Sequence, residues 1–334
     1  MNSTVVFTVV IALIFDVING FHDAANSIAT IVSTRLMSPG RAVAWAAFFN
    51  FVALFVFHQG VARTVSSLVK VDSTDPGFVW VVLAGLSGAI FWNVLTWLLS
   101  LPSSSSHAIM GGFSGAGLAF RGAGVLNGPK LMLAAEFIVL SPLIGFVLGA
   151  MFLVALSWAL RDMRPQRVER AFRYVRLLSA AAYSVGHGGN DAQKTIGIIL
   201  AVLVAGGYLH ESATEAPVWI ALACYAAMAF GTAAGGWRIV KTLGSKLTKL
   251  DAQTAFCAEL SGAVTLFAAT LLQIPVSTTH TITGAIVGVG SARKVRGIRW
   301  GLAGSIVWAW ILTIPASAAT GAICLRAFQA VHAW

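Results

Sequence analysis

Long apolar segments separated by short polar loops cover almost the whole chain. They lie at about 4–34, 42–61, 78–100, 107–120 and 131–160, and then at about 177–205, 216–235, 252–274, 281–292 and 300–330. Several of them reach the roughly 20 residues that a helix needs to cross about 30 Å of hydrocarbon. A transmembrane β-barrel would instead show short alternating segments. The pattern predicts an all-α polytopic membrane protein.

The first apolar run is longer than one plain span and contains several polar side chains. They are Asp16, Asn19, His22, Asp23 and Asn26. Such groups are rare in transmembrane segments, where they face a cavity or a partner. We therefore expect this helix to be broken around Asn19-Gly20-Phe21.

The first and second halves of the chain match each other at three places, in the same order. The matches are Asp23-Ala24 with Asp191-Ala192 (offset 168), Leu86–Ala89 with Leu260–Ala263 (offset 174), and Pro102 and His107 with Pro275 and His280 (offset 173). Five runs in each half, an odd number, would turn the second copy over relative to the first. We predict two inverted-topology repeats, 1–160 and 177–334, of about five transmembrane or re-entrant segments each. Their broken helices and hairpins are expected to meet at the membrane midplane, as in secondary transporters.

The few charged residues lie mainly in the loops. The chain is 57% hydrophobic and 10% charged, with a formal net charge of +10. If every run crosses the membrane, the basic loops at 35–41, 161–176, 238–249 and 293–299 share one side. The loops at 62–77, 121–130 and 206–217 share the other. The positive-inside rule then predicts that the basic side is cytoplasmic and that both termini lie outside.

The composition also limits what the chain binds. No basic face interleaved with aromatic residues supports nucleic-acid binding. The three cysteines are widely spaced within apolar runs, so neither a disulfide framework nor a metal site is expected. The segment 161–176, which holds six arginines, is predicted to be a linker that forms a short helix on an anionic membrane surface.

Two clusters of hydroxyl side chains, 102–107 and 275–280, stand between apolar runs. Proline is tolerated in the first turn of a helix, so Pro102 and Pro275 suit the starts of two short helices. The free N–H groups at such a start attract an anion. The alternative is that these hydroxyls bond within their own helix or pack helices together. Since the cluster occurs twice, we predict an anion site formed by Ser104, Ser105, Ser106, Ser277, Thr278 and Thr279.

Carboxylates lie deep in the apolar sequence of both halves. Asp23 and Asp191 are costly there unless they are paired, hydrated or bound to a cation. Oxygen-rich surroundings suit Na⁺, a proton or a hard divalent ion. The predicted coupling-ion group consists of Asp23, Asn26, Asn190, Asp191 and Gln193. The alternative for Asp191 is an ion pair with the neighbouring Lys194.

Three further titratable residues are candidates for a proton relay. His107 and His280 follow the hydroxyl clusters, and an imidazole titrates near physiological pH. Glu259 is another carboxylate at membrane depth. The alternative for each histidine is an ordinary hydrogen bond within the helix bundle.

Four motifs together resemble the inorganic phosphate transporter (PiT) family, in particular its bacterial low-affinity branch. They are NGFHDAANSIAT at 19–30, SHAIMGG at 106–112, GHGGNDAQKTIG at 186–197 and PVSTTHTITGAIVG at 275–288. The resemblance implies a homodimeric symporter of the bacterial cytoplasmic membrane, without a cofactor, that imports inorganic phosphate with H⁺ or Na⁺. A neutral divalent-metal phosphate complex is implied as a further form of the cargo.

The resemblance also assigns roles to these motifs. It implies that the hydroxyl clusters hold phosphate at paired hairpin tips and that the Asn/Asp motifs hold cations. Two positions depart from the family pattern. His22 replaces the widespread asparagine before Asp23, and Lys194 stands where many members have asparagine. The loss of two amide oxygens favours protons over Na⁺.

Three alternative functions are separable in principle. A sulfate or other oxyanion permease is disfavoured because phosphate, unlike sulfate, can donate a hydrogen bond to a carboxylate at neutral pH. An intramembrane Ser-His-Asp hydrolase is remote because Ser106 and His107 point about 100° apart on one helix. A passive channel would show no accumulation that depends on a pH gradient.

Overall fold

This computed structural model describes residues 2–68, 75, 77–210, 212, 213 and 215–332. Over these residues the chain forms twelve α-helices, joined by short turns, and no β-strand. The helices are α1 (Ser3–Ser33), α2 (Pro39–Val52), α3 (Gly60–Ser66), α4 (Gly77–Leu98), α5 (Ser105–Arg121), α6 (Gly128–Ala159), α7 (Pro165–Ala205), α8 (Val218–Ala234), α9 (Trp237–Lys241), α10 (Ala252–Leu271), α11 (Thr278–Lys294) and α12 (Trp300–His332). The prediction of an all-α fold is confirmed.

Five helices are long and apolar enough to cross a membrane: α1, α4, α6, α10 and α12. Two bent segments raise the number to seven if each counts as one span. The chain turns by 87° between α2 and α3 and by 60° between α8 and α9. The two halves therefore share one order of elements, which is a long helix, a bent pair, a helical hairpin and a long closing helix. The prediction of a multi-pass membrane protein is confirmed.

The expected break in the first helix is wrong, because α1 is continuous from Ser3 to Ser33. Gly20 serves close packing instead of a break. A Cβ atom at Gly20 would lie 2.2 Å from the carbonyl oxygen of Met228, and one at Gly231 would lie 2.0 Å from that of Val17. Here α1 and α8 touch backbone to backbone. Asp16, Asp23 and Asn26 of α1 have hydrogen-bond partners on neighbouring helices, so the backbone does not have to open to satisfy them.

The expectation of a short separate helix over 161–176 is also wrong. One helix, α7, begins at Pro165 and continues to Ala205. Arg176, counted in the linker, is 1% exposed. Its guanidinium donates to Glu259 and to the carbonyl of Thr30, both at 3.0 Å. A buried partner on α10 thus draws this end of the basic segment into the helix bundle.

The predicted placement of the two prolines in the first turn of a helix is wrong by one turn. The N-caps are Ser104 for α5 and Ser277 for α11, and Pro102 and Pro275 precede them by two residues. The Ser104 hydroxyl accepts a hydrogen bond from the N–H of His107 at 3.3 Å. The Ser277 hydroxyl likewise accepts a hydrogen bond from the N–H of His280, the third residue of α11, at 3.2 Å. Serine is among the best N-cap residues, and here it satisfies donors that have no partner within the helix.

Each hairpin is held by the closing helix of the other half: α5 packs against α12, and α11 packs against α6. Glycine permits both contacts. A Cβ atom at Gly111 would lie 2.5 Å from the carbonyl oxygen of Ile314, and one at Gly284 would lie 2.1 Å from that of Pro142. Because each hairpin packs against the closing helix of the other half, both hairpins lie at the centre of the molecule.

Loops contact other loops of the same group, either the basic loops or the less basic loops that the charge pattern placed on opposite sides. In the less basic group, Arg63 donates to Glu215 at 2.6 Å, and the N–H of Asn127 donates to Leu68 at 3.0 Å. In the basic group, the N–H of Arg299 donates to Leu247 at 3.0 Å. Residues 69–74, 76, 211 and 214, which belong to the predicted outer loops, lie outside the described part of the chain.

Candidate functional site

The tips of the two hairpins meet between α1 and α7. We call residues 102–107 the first tip and residues 275–280 the second tip. Ser106 donates from its hydroxyl to the carbonyl of Val276 at 3.2 Å. The rings of His107 and His280 lie 4.6 Å apart. All six predicted hydroxyl side chains are at most 5% exposed, so the tips form a closed interior site.

Asp23 on α1 contacts both tips. Its Oδ2 accepts from the hydroxyl of Ser105 at 2.9 Å, and its Oδ1 accepts from that of Thr279 at 3.3 Å. The Nδ1 atom of His22 lies 2.7 Å from Oδ1. Asn26 donates its side-chain amide to Thr279 at 2.9 Å. The first carboxylate is therefore surrounded by hydroxyl groups, an amide and an imidazole.

Asp191 on α7 also contacts the tips, but partly through a lysine. Its Oδ2 accepts from the hydroxyl of Thr278 at 3.0 Å, and its Oδ1 accepts from the Nζ of Lys194 at 2.5 Å. The same ammonium donates to Ser106 Oγ at 2.5 Å and to the carbonyl of Val276 at 2.7 Å. The alternative raised for Asp191, an ion pair with Lys194, is present.

The two sides of the site correspond residue by residue at the offsets found in the sequence. Residues on α1 and α7 are separated by 168 positions, residues in the tips by 173, and residues on α4 and α10 by 174. The matched hydrogen bonds are Asp23–Ser105 with Asp191–Thr278, at 2.9 and 3.0 Å; Asn26–Thr279 with Lys194–Ser106, at 2.9 and 2.5 Å; and His22–Thr96 with Asn190–Thr270, at 3.3 and 3.2 Å. One geometry is thus present twice, with serine exchanged for threonine at two positions and chemically different side chains at two others.

Two members of the predicted coupling-ion group support the backbone. Asn190 accepts from the N–H of Val276 at 3.2 Å and so fixes the second tip. Gln193 accepts from the N–H of Val61 at 2.9 Å, at the beginning of α3. Asn190 therefore lies at the tips. The side-chain oxygen of Gln193 instead positions the bent segment of the first half.

The three proton-relay candidates occupy two different places. His107 and His280 lie at the tips, and the ring of His280 stacks on Trp310 at 3.8 Å. Glu259 accepts from Arg176 at 3.0 Å and from Ser179 at 2.5 Å. Glu259 is thus paired with the guanidinium of Arg176, a residue that the sequence pattern placed in the linker.

One residue of the site was not predicted as a ligand. His187 lies one helical turn before Asp191, with its Nε2 3.4 Å from the carboxylate, and its Nδ1 lies 3.2 Å from the side-chain oxygen of Asn50. Ligand atoms of Asp23, His187 and Asp191 all lie within 4.8 Å of one another. The i, i+4 spacing of His187 and Asp191, which places both on one face of a helix, was the signal in the sequence that could have identified it. Two carboxylates and an imidazole form a donor set that fits a cation.

The charges at the site determine what it can hold. Two buried carboxylates face one ammonium, so an anion at the tips would meet net negative charge unless a cation is loaded as well. The tip hydroxyls now donate to the carboxylates, and the same hydroxyls are the donors available to a tetrahedral oxyanion. The arrangement suits an anion and a cation that bind together.

Comparisons with known proteins give consistent results. The sequence profile described as "Phosphate transporter family" matches residues 19–321. The chain is 52% identical to the "Probable low-affinity inorganic phosphate transporter" of Rhizobium meliloti, over 99% of this chain and 100% of the relative. It is 43% identical to the protein with the same description from Bacillus subtilis, over 95% of both chains. Its fold matches a solved structure described as "The sodium-dependent phosphate transporter" with a TM-score of 0.89 and 24% identity, over 98% of this chain and 100% of that one.

Proposed function

The chain belongs to the phosphate transporter family, and the relatives compared above are described as transporters and not as enzymes. From this premise we propose that the chain imports inorganic phosphate by symport with a cation. Phosphate transport by a multi-pass membrane protein follows from the family. The finer proposal rests on one observation: Asp23 and Asp191 each bind tip hydroxyls in one closed site. A carboxylate that takes up a cation no longer competes with phosphate for those hydroxyl donors. Anion and cation would therefore load together.

The same arrangement supports a proposal of alternating access. The site residues are buried, so a cargo held between the tips can leave only if the elements around it separate on one side at a time. We propose that the two inverted repeats, 1–160 and 177–334, move relative to each other to open each side in turn. Loading a cation with the anion lowers the cost of carrying charge through the apolar phase. The basic loops are proposed to face the cytoplasm.

The identity of the coupled cation has two candidates. The imidazole of His22, 2.7 Å from Asp23, favours a proton shared at this position. The cluster of Asp23, His187 and Asp191, whose ligand atoms lie within 4.8 Å of one another, favours a metal ion such as Na⁺. The description of the structural neighbour as sodium-dependent supports the second candidate. We propose H⁺ as the coupled ion and Na⁺ as the alternative.

Two further parts of the proposal concern the cargo and the assembly. Because the carboxylates leave the site negative, a neutral metal–phosphate complex would suit it as well as free phosphate with a proton. A hydrogen bond donated by protonated phosphate to a carboxylate disfavours sulfate as the substrate. A homodimer is proposed from the family resemblance alone.

The test is uptake of labelled phosphate into proteoliposomes with an imposed H⁺ or Na⁺ gradient. Parent protein should accumulate phosphate with one gradient, and Asp23→Asn should abolish the accumulation. Asp162→Asn is the matched control, because Asp162 is exposed in the loop before α7 and should leave uptake unchanged. Arsenate should compete and sulfate should not. Accumulation by Asp23→Asn at the parent level would refute the coupling assignment.

A further inference from the structure

The two matching carboxylates have different neighbours at one position. Asn26 lies three residues after Asp23, and Lys194 lies three residues after Asp191, at the common offset of 168. Both side chains donate to the matching hydroxyl of the opposite tip: Asn26 donates to Thr279 at 2.9 Å, and Lys194 donates to Ser106 at 2.5 Å. The second half therefore carries a full positive charge where the first half carries a neutral amide.

The lysine ammonium is completely engaged. It has three N–H donors, and it has three oxygen acceptors within 2.7 Å: a carboxylate of Asp191, a hydroxyl of Ser106 and the carbonyl of Val276. The side chain is 2% exposed. Because no donor is left over, Lys194 cannot add a hydrogen bond to an anion without giving up one of these contacts. Its contacts are those of a cation held by the protein and not those of a free anion-binding group.

The three acceptors form the kind of oxygen cage that hard cations prefer. Carboxylate, hydroxyl and carbonyl oxygens are the typical ligands of such ions. In the first half, the hydroxyl of Thr279 reaches Asp23 directly at 3.3 Å. In the second half, the corresponding hydroxyl of Ser106 donates to Val276, and the ammonium stands between Ser106 and Asp191. The matching position beside Asp23 holds the neutral amide of Asn26, so the first half has no fixed cation where the second half has the lysine.

We propose that Lys194 is a resident cation that fills, on Asp191, the position that the coupled cation takes on Asp23. The second half then needs no mobile ion, and each transport cycle requires one cation fewer than a site with two matching halves. Since the charge is tethered to α7, it balances Asp191 in every cycle without being released with the cargo. This inference rests on the proposed function and adds which half takes up the mobile ion.

Lys194→Asn tests the inference because it gives the second half the side chain of the first. The variant should have at least tenfold lower phosphate uptake in choline chloride and should recover in NaCl. Its Hill slope for Na⁺ should exceed that of the parent by one, whichever ion couples at Asp23. Lys130→Asn is the matched control, since Lys130 contacts Ser67 near the start of α6 and not the tips. It should show the parent's Na⁺ dependence.

A second measurement, the unfolding temperature, does not depend on transport. In detergent, NaCl compared with choline chloride should raise the unfolding temperature of Lys194→Asn more than that of the parent. Adding Asp191→Asn to this variant removes the carboxylate of the cage and should abolish the additional stabilisation. If the parent takes up no phosphate at all, the proposed function fails, and the Na⁺-dependent unfolding temperature still decides the inference.

Two results would overturn the inference. One is uptake by Lys194→Asn that equals the parent's in choline chloride. The other is the absence of any additional Na⁺ response in both uptake and unfolding.

If Lys194→Asn cannot be recovered folded, the paired change Asp191→Asn with Lys194→Met removes both charges together. This double variant has neither the resident cation nor a carboxylate that could bind Na⁺ in its place. The inference therefore expects its uptake to fall at least tenfold in both salts. Uptake at the parent level would show that the ion pair is purely structural.

Discussion

The two halves of the site share their geometry and differ in their charges. Asp23 and Asp191 each accept from a tip hydroxyl, at 2.9 and 3.0 Å. The other partners of Asp23 are the imidazole of His22 and the hydroxyl of Thr279, whereas Asp191 has a lysine ammonium at 2.5 Å. The comparison teaches that matching backbone positions do not imply matching roles. On the proposal made above, one half exchanges a cation and the other holds one permanently.

The largest expected difference between the halves concerns stability. Asp191→Asn leaves the buried ammonium of Lys194 without its carboxylate, and removing one partner of a buried ion pair costs about 3–5 kcal/mol. Asp23→Asn leaves only groups that are neutral or can become neutral, so its free energy of unfolding should fall much less. Chemical denaturation of both variants in detergent measures the difference.

Removing the second charge is the control for this prediction. Asp191→Asn combined with Lys194→Met should recover most of the lost stability, because no unpaired charge remains. If Asp23→Asn were as destabilising as Asp191→Asn, the two carboxylates would have equivalent electrostatic surroundings. The proposed asymmetry between the halves would then be wrong.

A smaller effect should be equal in the two halves. Ser105→Ala and Thr278→Val each remove the hydroxyl that donates to the carboxylate of its own half. Because these hydroxyls are also the donors available to the anion, and a lost hydrogen bond to a charged group costs about 1–3 kcal/mol, each variant should lose about tenfold in uptake efficiency. Initial uptake rates over a range of phosphate concentrations measure this loss.

Ser87→Ala is the control for the hydroxyl variants. Ser87 donates to the carbonyl of Leu83 within α4, away from the tips, and its removal should leave uptake unchanged. A large loss in only one of the two tip variants would show that the anion is held by one hairpin and not between both.

The sequence predicted the tips because each cluster carries two independent signals. Hydroxyl groups in apolar sequence need partners, and the repetition at an offset of 173 fixed which residues correspond. Both hydroxyl clusters and both aspartates do lie together in the structure. The helical and membrane-spanning character of the chain followed from the length of the apolar runs. These features depend on local composition and spacing, which a sequence displays directly.

The features that the sequence did not predict depend on tertiary contacts. A glycine and several polar residues suggested a break in α1, but Gly20 permits close contact with α8 and the helix continues. Arg176 was grouped with exposed arginines because its partner, Glu259, is 83 residues away. Lys194 was recognised as a neighbour of Asp191, but its contacts with Ser106 and Val276 required the positions of both tips.

The smallest predicted effect lies outside the site, where the halves again correspond. Asp75 accepts from the N–H of Gly77 at the start of α4 and pairs with Arg121. Asp251 accepts from the N–H of Thr254 at 2.9 Å at the start of α10 and pairs with Arg293. Replacing Asp251 by alanine removes the N-cap of α10 and should cost about 1 kcal/mol of the free energy of unfolding at pH 7.

The pH dependence of this contribution follows from the pKa of Asp251. Burial acts to raise that pKa, but hydrogen bonds from Thr254 and the nearby charge of Arg293 outweigh it and lower the pKa below its usual value. A carboxyl with a lowered pKa in the folded state stabilises the protein above its unfolded pKa of about 3.9 and loses this effect as the pH falls further. The difference in unfolding temperature between parent and Asp251→Ala should therefore be constant from pH 7 to 5 and shrink below about pH 4. Asp162→Ala, which removes an exposed carboxylate, should show no such difference, and a gap for Asp251→Ala that widens in acid would contradict the assigned contacts.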